Sequence, residues 1–480
     1  MKRLSGTDAL FLSMETPTWH QHVGGLTILD PGDREISFDE LLAALDARVP
    51  YAPKLRWKLK SMPFGLARPA WIDDDDFDIR NHVRRIGVPR PGGLRETAEV
   101  AGMLASTQLD RNRPLWELWF LEGLAGGRLA FVMKYHHCLL DGVAGASLAT
   151  VLLDLEPDAA EPLSAMPTAD ERSAGPDPDG VEVLGQVAGS LARRPLRLAR
   201  YVVDGAAKLA VGANAFARDD DARTLFRAPA TPFNKPIGPR RGLAFSSVAL
   251  EDLRELKDLH GVKINDLVIA LVAASFREVL LEQGALPEAP LVTGVPVSTR
   301  AEGDATHDNQ VSNMFVSMAT DIADPVERLQ AIYASSQKAK ALQRALSARQ
   351  IQSLGEVASP LVLSTAIRAL YESRVFGRGF TPVNTVVSNV PGPPVPVYMC
   401  GARVTGMFPC SVIVDGMGVN ATIISIMERV DFGFHVDPDI VSDPWALADA
   451  VPRALAELKA ASGLGPPLPV QDAFGESVSD

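Results

Sequence analysis

Residues Ser164 to Gly180, SAMPTADERSAGPDPDG, contain almost no large apolar side chain, and they separate a pair of long stretches that each alternate strand and helix patterns. A segment so poor in apolar groups cannot bury enough surface to offset the entropy of ordering itself, so it reads as a surface loop or linker. At 480 residues the chain also exceeds what one core usually organises; a domain size of about 150 residues gives two or three units. The expected architecture is α/β in two large domains, residues 1–163 and 241–480, with a long connection over 164–240. The connection is expected to be partly helical, because the small and basic residues of LARRPLRLARYVVDGAAKLAVGANAFA follow the linker.

In the second region Leu253, Leu256 and Leu259 recur at helical spacing, and Gly261 follows as a stop. Asn265 is placed to cap the next helix, DLVIALVAASFREVLLEQG, whose apolar first turns predict burial on most sides. LVTGVPVSTR, TPVNTVVSNVPGPP, VNATIISIMERV and DFGFHVD carry the β-branched runs and closing turn residues of strands. Asp443 and Pro444 open a last helix that Pro452 bends. No repeat with a period of about 20 to 50 residues is present, which sets solenoids and propellers aside.

The net charge of -12 argues against general nucleic-acid affinity, which needs clustered Lys and Arg. Cys138, Cys400 and Cys410 are too few and too scattered for a disulfide framework. The opening MKRLSGTDALFLSMETPT lacks the long apolar segment of an export signal, and no apolar run approaches the roughly 18 to 20 residues that span a bilayer. A cytoplasmic protein, at most peripheral on a membrane or lipid inclusion, is expected. Within 191–208, Arg193, Arg194, Arg197 and Arg200 stand beside Leu191, Leu196 and Leu198, a basic amphipathic pattern suited to anionic lipid. Pro195 interrupts it, and a solvated helix face explains it equally well.

Two of only eight histidines are adjacent, in YHHCLLDG. RLAFVMKYHH, residues 128–137, has a strand signal, so alternation sets His137 with Tyr135, Met133 and Phe131, and His136 with Lys134 and Val132. The two rings then point apart and cannot converge within about 2.1 Å of one metal ion, so no metal site is expected from the pair. LLDGVAGASLATVLLDL switches to helical spacing, with Leu148, Val151, Leu152 and Leu155 on one side, which leaves Asp141 and Gly142 at a strand-to-helix turn. Two readings stay open from the residues alone: a functional histidine with its aspartate, or core histidines with Asp141 as a helix cap. Cys138 reads as a core cysteine.

HHCLLDG matches HHxxxDG, the signature of acyltransferases with the chloramphenicol acetyltransferase fold. Around it, the PLWE of LDRNRPLWELWFLEGL, the opening LSGTDALFLSMETPTWHQHVGGL, the Asn-Asp of KINDLVIA and the SNVPGP of NTVVSNVPGP stand in matching order from residue 4 to the last helix. By these motifs the chain resembles the bacterial wax ester synthase/diacylglycerol acyltransferase family. The resemblance implies two chloramphenicol acetyltransferase-like domains with an active-site tunnel between them, and transfer of a long-chain acyl group from acyl-CoA to diacylglycerol or a long-chain alcohol. Acyl-CoA is then a co-substrate, and no bound cofactor is implied.

It further implies that His137 is the general base, that His136 supports it, and that Asp141 is structural, paired with Arg300 and followed by Gly142. Trp116 walls the tunnel or packs in the core, and Glu117 lends support beside it. Asn265, Asp266 and Asn389 are candidate tunnel contacts, and Ser388 is a candidate oxyanion donor. No GxSxG is present and Ser147 lacks its second glycine, so a covalent acyl-enzyme is not expected. Three alternatives remain: the HxxxxD motif of glycerolipid acyltransferases with His136 as base, a condensation-type enzyme with a carrier-bound donor, and an idle lipid-binding protein.

Overall fold

The helix expected after Asn265 runs from Ile264 to Glu282, and every residue from Asp266 to Phe276 is buried. Burial all round needs neighbours all round. A six-stranded sheet lies on one side, and helices Leu250–His260, Pro325–Ala345 and Trp445–Ala461 pack against the others. The computed structural model describes residues 1–63, 66–139, 148, 151–159, 167, 173–180, 182–183, 185, 189, 228–298, 311–345, 365, 368–369, 371–373, 381, 383–470 and 473–474.

Helix Leu250–His260 ends as the sequence predicts, on Gly261 with φ 66. Leu253 and Leu256 are buried but Leu259 is exposed, because steps of three fall short of a full turn and by the third residue have rotated away from the core. Asn265 does not cap the next helix. The helix begins two residues earlier, and the Asp266 carboxylate reaches back to accept the Lys263 backbone N–H at 3.1 Å, leaving Asn265 half-buried in the first turn. The cap is therefore made by the neighbour of the expected residue.

The second sheet has the order Val311–Ser317, Val292–Ser298, Thr385–Pro391, Val419–Ile426, Arg429–Val436, Gly242–Ala249. Val387, Val419, Ala421, Ile423, Val430, Phe432 and Phe434 face the helices, so alternation turns Asn420, Thr422, Asp431 and His435 to the opposite face. The first sheet has the order Tyr398–Met399, Ala402–Cys410, His22–Asp30, Leu129–His136, Trp116–Glu122, Val83–Gly87. A small third sheet joins Lys2–Arg3, Ala70–Asp73 and Trp57–Lys60. Mixed parallel and antiparallel pairing within both large sheets agrees with the expected α/β class.

Sheet membership does not follow chain order. Residues 398–410 stand far into the C-terminal half, yet Ala402–Cys410 pairs antiparallel with His22–Asp30 of the first sheet. The same strand, with Ser411 just after it, also meets Arg429–Val436 of the second sheet at alternate residues. Arg429 Nη1 donates to Thr405 O at 2.8 Å, Met407 N–H donates to Asp431 Oδ2 at 2.9 Å, and His435 Nδ1 contacts Ser411 O. One strand thus belongs to one sheet and seams it to the other.

Candidate active site

The strand carrying the histidines spans Leu129–His136 and stops one residue short of the predicted end. Phe131 and Met133 pack in the core beneath helix Phe38–Arg48, whereas Ala130 and Val132 pack in the core on the other face. The alternation read from sequence therefore holds up to His136. There the chain turns: Leu139 N–H donates to His136 O at 2.8 Å, so His137 occupies the second position of a turn, while its own N–H donates to Gln21 O at 2.8 Å.

The two imidazoles have different surroundings. His136 is fully buried, and its Nδ1 accepts the Cys138 backbone N–H at 3.1 Å, which implies the Nε2–H tautomer for the neutral ring. Its Nε2 lies 3.7 Å from Glu15 Oε2. Lys134, on the same face, is buried with Nζ donating to Leu104 O at 3.1 Å and Thr107 O at 3.0 Å, and it lies 3.4 Å from Glu117 Oε2. His137 is half-buried, and its ring stacks on Phe11 with centroids 3.9 Å apart and planes 12° apart. Cys138 is buried, and burial pushes its thiol well above the ordinary value, as expected of a core cysteine.

Glu15 is the hub of this region. Arg111 Nε donates to its Oε2 at 2.9 Å, and His22 Nε2 lies 3.3 Å from its Oε1. Burial opposes ionisation of the Glu15 carboxyl, but His136 and Arg111 outweigh it and hold the group well below the usual carboxylate range. His22 stays neutral: burial pushes it down to about 3 despite Glu15, and Leu109 N–H lies 3.3 Å from its Nε2 as a donor. His435, on the inner face of the second sheet, is also pushed to about 3, by burial and by the Arg241 guanidinium.

Trp19 Nε1, His20 Nδ1, Gln21 Nε2, His22 Nδ1, His136 Nε2 and His435 Nε2 are buried with no hydrogen-bond partner among the described residues. Buried polar atoms without protein partners are rare, and a catalytic role or a bound water or ion is among the reasons for them. Among the described residues no group of three or more His, Cys, Asp or Glu is arranged to hold a metal ion.

The buried histidines make stability depend on pH. An unfolded histidine titrates near 6.5, so between about pH 6.5 and pH 3 the unfolded chain binds protons that His22 and His435 refuse when folded. Stability is then complete above that window and falls as the pH falls through it. Glu15 acts in the same direction below the ordinary carboxylate range. Each histidine contributes at most about 1.4 kcal/mol per pH unit. The thermal midpoint is expected to drop steeply between pH 7 and pH 5, with a shallower drop in His435→Gln; a midpoint constant over that range would disprove the effect.

Residues 4–268 match the wax ester synthase/diacylglycerol acyltransferase catalytic domain, and residues 307–459 match the WS/DGAT C-terminal domain. A Mycobacterium tuberculosis protein is 38% identical over 470 residues, covering 95% of this chain and 90% of its own. The chain belongs to the wax ester synthase/diacylglycerol acyltransferase family. A second Mycobacterium tuberculosis relative is 36% identical over 446 residues, covering 90% of this chain and 93% of its own; both are named provisionally as diacylglycerol O-acyltransferases. The solved wax ester synthase/diacylglycerol acyltransferase from Marinobacter aquaeolei VT8 is 28% identical, with a TM-score of 0.67 over 96% of this chain and 100% of that one. The first condensation domain of the calcium-dependent antibiotic synthetase, 17% identical with a TM-score of 0.55 over 98% of each chain, shares the fold.

Of the motif residues of this wax ester synthase/diacylglycerol acyltransferase family member, His136 and His137 stand at the end of their strand, and Glu117 lies on the neighbouring strand, 3.4 Å from Lys134. Trp116 is a core residue: it is buried, its Nε1 donates to Leu55 O at 2.8 Å, and its ring stacks on His82 at 4.6 Å. Asn265 and Asp266 open their helix, and half-buried Ser388 and Asn389 lie in the parallel pair between Thr385–Pro391 and Val419–Ile426. Asp141, Gly142, Arg300 and the basic 191–208 segment lie outside the described residues. Phe11, Glu15, His22, Arg111 and His435 were missed by sequence reasoning. The available signal was Phe11 and Glu15 at a four-residue spacing just before the histidines of WHQH.

Proposed function

We propose that the chain transfers a long-chain acyl group from acyl-CoA to the hydroxyl of diacylglycerol or a long-chain alcohol, with His137 as general base. The observation that carries the assignment of the base is the contrast between the rings. His136 is buried, and the lone pair of its Nδ1 is committed to the Cys138 N–H, whereas His137 stands at the turn beyond the strand with its ring half-buried against Phe11.

His137 takes the proton from the acceptor hydroxyl as that oxygen bonds to the thioester carbonyl carbon. The carbon–sulfur bond then breaks, and the CoA thiolate leaves with the proton returned by the imidazolium, giving an ester and free CoA. General-base assistance of this kind is worth about 10² to 10⁴ in rate. The rest of the acceleration comes from holding both substrates in line and from donors aimed at the developing oxyanion. Ser388 and Asn389 are proposed for polar contacts in the tunnel, with Asp141, Gly142 and Arg300 supporting the motif as the family resemblance implies.

Such an acceptor resides in lipid. No helix among the described residues is long and apolar enough to cross a membrane, and peripheral contact through the arginines of 191–208 is the proposed route to the acceptor. The purified protein is expected to release CoA thiol from palmitoyl-CoA when diolein or hexadecanol is added, and the faster acceptor identifies the physiological class. Absence of release with both acceptors would overturn the proposal and favour a carrier-bound donor or an idle lipid binder.

A further inference from the structure

The histidine pair is gripped by the element that the opening LSGTDALFLSMETPTWHQHVGGL forms. Helix Gly6–Met14 is capped by Ser5, whose Oγ accepts the Asp8 N–H at 3.0 Å, and Glu15 follows as its C-terminal cap residue. Phe11 and Glu15 are four residues apart and so lie on one face, one turn apart. That face is turned to the pair: Phe11 lies flat on the His137 ring at 3.9 Å, and Glu15 Oε2 stands 3.7 Å from His136 Nε2. Arg111 fixes the end of the helix, because its Nη2 donates to Leu12 O at 3.1 Å while its Nε holds Glu15 at 2.9 Å.

We propose that Phe11 and Glu15 are positioning residues for the reaction, Phe11 setting the plane of the His137 ring and Glu15 setting the orientation of His136. The inference rests on His137 being the base. The Glu15 carboxylate, 3.7 Å from Nε2 and short of a hydrogen bond, attracts the N–H edge of the His136 ring by charge, while Nδ1 faces the Cys138 N–H at 3.1 Å and so pins the backbone directly after His137. The phenyl face of Phe11 leaves the base ring one plane of motion and stabilises it when it becomes cationic in mid-reaction.

The charged and titratable groups facing the pair among the described residues are Asp8 and Glu15 from the helix and its end, and His22 from the adjoining strand. Lys134 faces it from its own strand, with Arg111 and Lys54 from the flanking segments. Neither Phe11→Leu nor Phe11→Tyr alters any of these charges.

The test is the pH dependence of kcat, with KM for palmitoyl-CoA, in the full-length protein carrying Phe11→Leu, Phe11→Tyr, Glu15→Gln or His137→Ala. Phe11→Leu is expected to lower kcat about tenfold with KM unchanged, and to move the acidic limb of the profile down by about half a pH unit, since the cation loses its aromatic face. Phe11→Tyr is expected to keep both near the original. Glu15→Gln is expected to lower kcat with KM unchanged. Should Phe11→Leu not fold, Phe11→Met, of similar volume without a π face, takes its place. Original kcat and an unmoved limb in the Leu or Met variant and in Glu15→Gln, alongside an inactive His137→Ala, overturn the positioning role and leave the base in place. An active His137→Ala overturns the base itself, a separate outcome.

Discussion

His137→Ala is expected to lower acceptor-dependent release of CoA from palmitoyl-CoA by a factor of about 10² to 10⁴ while the thermal midpoint stays close to that of the original protein. The ring it removes is half-buried at the end of a strand, and the backbone bond from the His137 N–H to Gln21 O survives the change. The contact with Phe11 goes with the ring, and so does the proposed base that takes the proton of the acceptor hydroxyl as it approaches the thioester.

His136→Ala is the necessary comparison. Its ring is fully buried, so truncation opens a cavity, strands the Cys138 N–H, and leaves Glu15 with one fewer compensating partner. An unsatisfied buried group alone costs about 1–3 kcal/mol, so this variant should show a clearly lowered midpoint. The decisive pattern is a stable, inactive His137→Ala beside a destabilised His136→Ala. A stable but inactive His136→Ala beside an active His137→Ala would transfer the base to the first histidine and revive the HxxxxD reading.

The strands around this site were readable because their signals are local. Val419–Ile426 and Arg429–Val436 carry β-branched and aromatic residues at alternate positions, with one face in the helix-packed core, and that period of two needs no knowledge of the partner. The inequivalence of His136 and His137 was legible for the same reason. Asn265 was misread as a cap because Asn and Asp are both good capping residues and stand side by side; which one reaches back is decided by where the helix begins.

The surroundings of the histidines were not legible, because they come from distant sequence. Glu15 meets Arg111 and His136 across about a hundred residues, and His435 joins from the far end of the chain. Strand Ala402–Cys410 carries the same kind of pattern as its neighbours, and nothing in its residues says that it pairs with His22–Asp30. Its destination is visible only in the glycines that let the backbones approach. Those glycines, Gly25 and Gly433, stand in two different segments, each ordinary when read alone.

Gly433 faces that strand from the second sheet, and Gly433→Ala is expected to cost about 3 kcal/mol or more and to lower the thermal midpoint by roughly 6–12 °C. A Cβ built there would sit 1.9 Å from the Pro409 carbonyl oxygen, inside any real contact distance. Neither partner can yield cheaply. Pro409 is backed by Gly25 of the neighbouring strand, where a Cβ would itself lie 2.9 Å from the Pro409 Cα, and Gly433 is held between Thr422 and Phe245 in its own sheet. The clash also falls in the middle of the seam, between Met407 with Asp431 and Ser411 with His435. Relief by separating the sheets would loosen the contacts on both sides and move the inner face of the second sheet away from the histidine pair, so residual activity should fall with stability. Gly87→Ala is the control, because a Cβ there meets nothing within 4 Å, and its midpoint should remain near the original. Equal midpoints for the two variants would show that the seam accommodates an extra methyl group, and that the close approach at Pro409 does not lock the two sheets together.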